Sequence, residues 1–192
     1  RFVILGVPTL WEGMMSNKKF KNVDMSQLKY IVSGGDYLRV KDEIRINNFL
    51  HQHGARVDIC KGYGMTESVA ATCYTFPGVN EPGSIGIPMV GNTYKIWDPD
   101  TNKEKEIGEE GEIIVNGPTL MSGYLNNPKE TKEVLRMHNG KLWLHTGDIA
   151  KIGENGHIYI TGRIKNMIVL QGGKKVFPEE VEAVLENSHY IA

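Results

Sequence analysis

The sequence predicts an α/β segment followed by a β-rich subdomain and the start of a small α+β unit, and three patterns carry that prediction. Residues 1–82 alternate short apolar runs with a helical segment, and the runs end in glycine turns. Residues 83–163 carry short strand signals separated by turn residues. From residue 164 the pattern becomes strand, glycine turn and helix, and there the chain stops.

In the first region Phe2 to Val7 is an apolar, strand-like run closed by Pro8. Leu28 to Ser33 and Val57 to Lys61 read as strands running into Gly34-Gly35 and Gly62. Between them, Val40 to His53 places Ile44, Phe49 and Leu50 at roughly helical spacing, with Gly54 as a stop. That order predicts a parallel, buried sheet. In the second region strands are expected over Thr93 to Trp97, Glu112 to Val115, Ile149 to Ile152 and His157 to Thr161. Asn155-Gly156 between the last two is a hairpin signal, so the pairing is expected to be antiparallel, with one helical insert near Pro128 to Met137. In the third region Met167 to Gln171 reads as a strand and Gly172-Gly173 as a turn. Pro178 to Glu186 reads as a helix, with Pro178 at its first position, Glu179 and Glu180 at its positive start, and Val181, Val184 and Leu185 as one apolar stripe. The expected division is therefore 1–82, 83–163 and 164–192, the last a domain cut short.

Composition narrows the function classes. The 192 residues hold 22 Lys+Arg against 23 Asp+Glu, a net charge of -1, and 40% are hydrophobic. Such a chain has a core to bury and is not of the disordered class. It lacks the basic excess of a nucleic-acid footprint. No stretch reaches transmembrane length, and nothing indicates membrane association. Cys60 and Cys73 lack metal-ligand spacing and read as buried, reduced thiols, which fits a cytoplasmic address. The start at Arg1 and the stop at Ile191-Ala192 are expected of a piece of a longer protein.

Five segments are candidates for chemistry. In Gly62-Tyr63-Gly64-Met65-Thr66-Glu67-Ser68, two glycines around an aromatic let a backbone pass close to a flat ligand while the ring stacks on it. Thr66 offers a hydroxyl to an anion, and Glu67 is a hard oxygen ligand suited to Mg²⁺. The plainer alternative is a turn leading into a helix capped by Thr66 or Ser68. In His145-Thr146-Gly147-Asp148, Asp148 at a turn could accept both hydroxyls of a ribose, although Thr-Gly-Asp is also an ordinary turn. Gly111-Glu112 through Gly123-Tyr124 reads as strand, turn and packing aromatic, without assigned chemistry. Arg163, in Gly162-Arg163-Ile164-Lys165, presents a fork of donors to ribose or phosphate oxygens; Gly172-Gly173 permits close backbone approach, and a basic surface turn is the alternative. Ser33-Gly34-Gly35-Asp36 ends a strand of an α/β sheet, where ligands tend to lie, but could be a plain strand-to-helix connection.

The order of these segments resembles that of the adenylate-forming enzymes, the family of acyl-CoA synthetases, firefly-type luciferases and peptide-synthetase adenylation domains. Its pattern is a Y-G-x-T-E loop, a G-E segment ending in G-Y, a T-G-D turn, a G-R-x-[DK] hinge and a G-G run ending in P-x-E-[VI]-E. Here these are Tyr63 to Glu67, Gly111-Glu112 to Gly123-Tyr124, Thr146-Gly147-Asp148, Gly162 to Lys165, and Gly172-Gly173 to Glu182. The wording around Thr66-Glu67 and after Gly172 looks most like long-chain fatty acid–CoA ligases. The resemblance spans essentially the whole chain. It implies the end of a parallel-sheet α/β subdomain, a distorted antiparallel β-barrel and the start of a mobile C-terminal domain.

The resemblance also implies roles. Tyr63 would stack on adenine in a slot lined by Gly34, Gly35 and the Gly62 to Gly64 backbone. Thr66 would contact the α-phosphate, Glu67 would hold Mg²⁺, Asp148 would bind both ribose hydroxyls, and Arg163 would contact the ribose. Lys165 would be the hinge, and Gly172 and Gly173 would border the pantetheine path. Family members often carry Asn or Gln before the Gly-Tyr pair, where this chain has Lys61. The implied reaction uses ATP, Mg²⁺ and coenzyme A: a carboxylic acid, most like a fatty acid, becomes an acyl-adenylate and then a thioester. Residues near Gly34, Cys60 and Val69 to Thr72 are candidates for the acyl pocket. An adenylation domain that loads a carrier protein, and a non-catalytic nucleotide-binding module, are the alternatives. The family's phosphate loop lies upstream of this segment and its catalytic lysine beyond residue 192, so the isolated chain is expected to bind nucleotide weakly and catalyse neither step.

Overall fold

Three apolar runs become parallel strands: β1 (Phe2–Gly6), β2 (Leu28–Gly34) and β3 (Cys60–Gly64), paired in that order. The computed structural model describes residues 2–172 and 174–185, and the chain divides into two units between Val90 and Gly91. In the first unit α1 (Pro8–Ser16) and α2 (Val40–Gln52) supply the helices. Pro8 does not close a strand; it opens α1, where its missing N–H costs nothing and its fixed φ suits the first turn. The expected parallel sheet acquires two further strands, β4 (Ala71–Tyr74) and β5 (Ile87–Pro88), both antiparallel. The short link from Gly64 to Ala71 is too brief for the crossover that a parallel strand needs.

The core of this unit joins Trp11 of α1, Ile31 of β2, Ile46 and Leu50 of α2, and Ile59. The buried stripe of α2 is Glu43, Ile46 and Leu50, and Ile44 points outward at 53% exposure. The helix is thus rotated from the face that Ile44 would select, because Glu43 has a buried partner in Lys61. The third strand also begins later than Val57: the Ile59 N–H donates to the Asn47 side chain (2.8 Å), and ladder pairing with β2 starts at Cys60.

The second unit holds β6 (Thr93–Asp98), β7 (Lys103–Glu104), β8 (Gly111–Asn116), α3 (Pro128–Val134), β9 (Leu135–His138), β10 (Lys141–Ile152) and β11 (Ile158–Arg163). They form a curled six-stranded antiparallel sheet in the order β11-β10-β8-β6-β7, with β9 also on β10. The central strand β8 is buried along Gly111 to Val115, as a strand covered on both faces must be. The Asn155-Gly156 signal is realised: Gly156 takes φ 78° in the connection between β10 and β11. The helical insert is shorter than Pro128 to Met137. It ends at Val134, and Leu135–His138 pairs with β10 through Asn139-Gly140, both at positive φ (49° and 75°), the signature of a tight hairpin turn.

Thr146-Gly147-Asp148 is not a turn between strands. It is a bulge inside the 12-residue β10, opposite β8, where the register jumps between His145↔Ile114 and Ile149↔Glu112. After Arg163 come a 3₁₀ turn (Ile164–Asn166), β12 (Ile168–Val169), β13 (Lys175–Val176) and α4 (Pro178–Leu185). The Phe177 ring covers Gly162, where a Cβ would meet it at 2.8 Å. Glu186, the expected last residue of this helix, and Gly173 lie outside the described residues. Among those described, no helix is long and apolar enough to cross a membrane.

Candidate active site

Register decides what faces the candidate site. Val32, Ser33 and Gly34 of β2 stand beside Cys60, Lys61 and Gly62 of β3, so Gly34 and Gly62 share one face and Ser33 and Lys61 the other. On the glycine face lies an open groove of about 530 Å³. Gly34, Gly35, Gly62, Gly64 and Thr66 all line it, together with apolar Leu5, Val32, Val69, Ala70 and Ala71, and with Tyr74. The structure thus gathers five of the expected site residues around one concavity. Tyr63 has the parity of Lys61 and is not among the lining residues, nor is Glu67. A second groove of about 600 Å³, between α1 and α2, is lined by polar side chains such as Glu12, Lys41 and Arg45 and contains none of the expected site residues.

The groove stays open because its floor lacks side chains. At Gly64 a Cβ would lie 2.1 Å from the Ala70 carbonyl oxygen and 2.5 Å from the Ala71 Cα. That glycine is required by the chain's own return into β4, before any ligand is considered. At Gly62 a Cβ would strike the Tyr74 ring at 2.8 Å, so Tyr74 is the aromatic on the glycine face. Sequence reasoning missed it; its pairing opposite Gly62 across β3 and β4 is a tertiary fact.

Beyond Gly64 the chain makes a 3₁₀ turn over Thr66–Ser68. Ser68 holds it: its buried Oγ accepts the Met65 N–H (3.2 Å) and lies 3.0 Å from the Met65 and Ala70 carbonyl oxygens. Thr66 remains exposed at the groove, with half-buried Glu67 next to it. Val69 follows at φ 68°, ψ -44°, a strained setting for a β-branched residue.

Lys61 turns away from the groove. Its Nζ lies 2.5 Å from Glu43 Oε1 and donates to the Glu81 carbonyl at 3.1 Å, while Gly83 N–H donates to Glu43 Oε2 at 3.2 Å. Burial pushes its ammonium below the ordinary lysine value, and the Glu43 carboxylate opposes that shift. Cys60 and Cys73 are free and buried, as expected; burial raises both thiols, Cys73 to about 12.

In the second unit Asp148 and Arg163 face each other across β10 and β11, with Nε 2.7 Å from Oδ1. The bulge that presents Asp148 is built from side chains. Thr146 Oγ1 donates to the Ile113 carbonyl (2.8 Å) and accepts the Asp148 N–H (3.1 Å). Glu112 Oε1 accepts the Gly147 N–H (3.0 Å), and Oε2 lies 2.7 Å from His145 Nδ1. Gly147 sits at φ 74°, open to glycine at little cost. Gly111-Glu112 was legible as part of the family pattern, but no role for the Glu112 carboxylate was, because its partners Gly147 and His145 lie more than 30 residues away. Lys165 is exposed in the turn after β11, and Gly172 is exposed at φ 103°.

The sequence profile of the AMP-binding enzyme family matches residues 2–125. A long-chain-fatty-acid–CoA ligase of Bacillus subtilis (strain 168) is 38% identical over 181 residues, which is 94% of this chain and 30% of the ligase. Luciferin 4-monooxygenase of Photinus pyralis is 35% identical over 179 residues, 93% of this chain and 31% of that protein. The structure of O-succinylbenzoate coenzyme A synthetase from Bacillus subtilis, in complex with ATP and magnesium ion, matches at TM-score 0.78 and 26% identity over 99% of this chain and 37% of that one. The chain thus spans about a third of the length of these relatives. A profile match that runs through the glycine-floored groove and the Glu112 strand, on a fold shared with these relatives, shows that the chain belongs to the AMP-binding enzyme family.

Proposed function

We propose that the protein carrying this chain is an ATP-dependent acid–thiol ligase that activates a carboxylic acid, in our reading a fatty acid, and transfers it to coenzyme A. The observation that carries the reading is the groove, floored by glycines and lined by Thr66 together with Leu5, Val32, Val69 and two alanines. Such a groove suits an apolar acyl chain whose carboxylate lies toward Thr66. The named ligase relative supports the fatty acid and coenzyme A. ATP dependence and two free, buried thiols support a cytoplasmic setting.

In this reading a carboxylate oxygen attacks the α-phosphorus of ATP, the bond to pyrophosphate breaks, and acyl-adenylate forms. The thiol then attacks the acyl carbon and AMP leaves. Thr66 donates a hydrogen bond from its hydroxyl to an α-phosphate oxygen. The Gly34-Gly35 backbone borders the nucleotide, and Tyr63, on the opposite face of β3 from those glycines, would reach the adenine only from that other side; Asp148 would accept the ribose hydroxyls, and Arg163 would support that contact. Lys165 serves as the hinge between the two steps, and Gly172 borders the thiol's path. These groups orient reactants and balance developing charge, which is most of what phosphoryl-type transfer requires.

Mg²⁺ fits the donors present. No group of three His, Cys, Asp or Glu side chains among the described residues could cage a metal ion, and Mg²⁺ binds through one or two carboxylates plus substrate phosphates. Glu67, next to Thr66, would be that carboxylate. When bound, the ion neutralises phosphate charge.

The test is a panel of carboxylic acids of varied chain length, scored by pyrophosphate release with and without coenzyme A. Fatty acids should give turnover, with AMP released on addition of coenzyme A. AMP release only to a carrier protein would make the protein a carrier-loading enzyme instead. ATP binding without turnover on any acid would make it a non-catalytic module.

A further inference from the structure

Behind the Asp148 bulge lies a hydrogen-bonded chain of three side chains from three strands. Glu112 of β8 accepts from the Gly147 backbone with one oxygen (3.0 Å) and faces His145 Nδ1 of β10 with the other (2.7 Å). His145 Nε2 in turn lies 2.8 Å from His138 Nε2 of β9. His138 is stacked on Trp97 of β6, ring centroids 4.2 Å apart. Glu112 and His145 are 5% and 4% exposed, so neither is there for solvation.

The chemistry of the donors sets the direction of the chain. An ionised carboxylate only accepts, so His145 carries a proton on Nδ1, and in the neutral imidazole its Nε2 is then the acceptor. In that state His138 donates from its own Nε2. The register explains the need for the carboxylate. Where β10 bulges away from β8 between His145 and Ile149, the backbone carbonyl that would have met the Gly147 N–H is out of reach, and the Glu112 side chain takes its place.

We infer that Glu112 and His145 are positioning residues for Asp148: together they fix the Thr146-Gly147-Asp148 bulge in the shape that aims the Asp148 carboxylate at its ligand, with Glu112 setting the His145 tautomer and His138 completing the chain at Nε2. This rests on the reading of Asp148 as the ribose acceptor. A contact to ribose is made equally in the ground and transition states, so its loss appears in KM for ATP and not in kcat.

The experiment compares ATP with 2′-deoxy-ATP in pyrophosphate release by the protein carrying this chain, alongside thermal melting and ¹⁵N NMR of the histidines. Glu112→Ala should raise KM for ATP on the order of tenfold, leave kcat within about threefold, and shrink the penalty for 2′-deoxy-ATP. A purely structural role would lower the melting temperature without touching that penalty. Asp148→Ala is the control and should remove the penalty. If Asp148→Ala abolishes the penalty while Glu112→Ala keeps the wild-type KM and penalty, the positioning role is overturned and the ribose reading stands. If Asp148→Ala keeps the penalty, the ribose reading fails and the inference with it. Should Glu112→Ala not fold, Glu112→Gln decides. Its amide can still accept from Gly147 but presents N–H to His145, so the imidazole should switch to the Nε2–H tautomer and the penalty should fall partway. A wild-type tautomer with a wild-type penalty overturns the proposal.

Discussion

Lys61 and Glu43 form a buried ion pair, Nζ 2.5 Å from Oε1, with side chains 6% and 2% exposed. It ties α2 to β3 and, through the Glu81 carbonyl and the Gly83 N–H, to the loop before β5. Desolvation of both charges offsets much of their attraction, so the pair adds little net stability, while either member alone is costly. Lys61→Met and Glu43→Leu singly should each destabilise by about 3–5 kcal/mol. The double variant should lie within about 1 kcal/mol of wild type, or above it. Urea denaturation of the four proteins measures this, and additive losses would contradict the buried-pair account.

The two thiols should resist chemistry until the fold opens. Cys73 is 0% exposed, and burial raises its thiol from 9.0 to about 12. Iodoacetamide at neutral pH should leave Cys60 and Cys73 unmodified in the native protein and label both in urea, read by mass spectrometry. The same burial predicts alkaline instability. The folded value lies above the unfolded one, so the stabilisation is complete below about pH 9 and is lost as pH rises toward 12. The loss from Cys73 is about 4 kcal/mol at full expression, at 1.36 kcal/mol per pH unit. Cys73→Ala should flatten the high-pH side of the stability profile.

Val69 holds a backbone conformation that glycine adopts freely. It sits at φ 68° beside the groove, with its side chain exposed at 74%, so little packing is lost on removing it. Val69→Gly should therefore be stabilising by about 1 kcal/mol, where a glycine in an extended loop would cost about that much. A fall in melting temperature would show that the valine contributes contacts that outweigh the strain.

How far the sequence could be read depended on the range of the interactions involved. Gly34, Gly35, Gly62, Gly64 and Thr66 were legible because glycines at strand ends mark close approach within a few residues of chain, and the groove gathers all of them. The orientation of α2 was not, because Ile44 and Glu43 compete for the inward face and the winner is set by Lys61, 18 residues away. The Thr146-Gly147-Asp148 bulge was mistaken for a turn because glycine with Asp reads the same way in both. Only the pairing of β10 with β8 separates them. Leu135 to Met137 was drawn into the helix that starts at Pro128, although Asn139-Gly140 carried a hairpin signal of its own.

Asp148 and Arg163 give the last prediction, because one is sheltered and the other is not. The Asp148 side chain is 10% exposed and the Arg163 side chain 58%. An ion pair open to water on one side is worth about 0–1 kcal/mol in stability, so Arg163→Ala should shift the melting temperature little. Its effect should appear in nucleotide binding. Arg163 Nε donates to Asp148 Oδ1 at 2.7 Å, and the planar guanidinium can add a second, parallel donor that a lysine lacks. Arg163→Ala should raise KM for ATP several-fold, on the order of 1 kcal/mol of lost binding, with kcat for pyrophosphate release nearly unchanged. Arg163→Lys keeps the charge but loses the fork, and should recover only part of that loss. Full recovery with lysine would mean that charge alone matters. An unchanged KM in both variants would remove Arg163 from the nucleotide site.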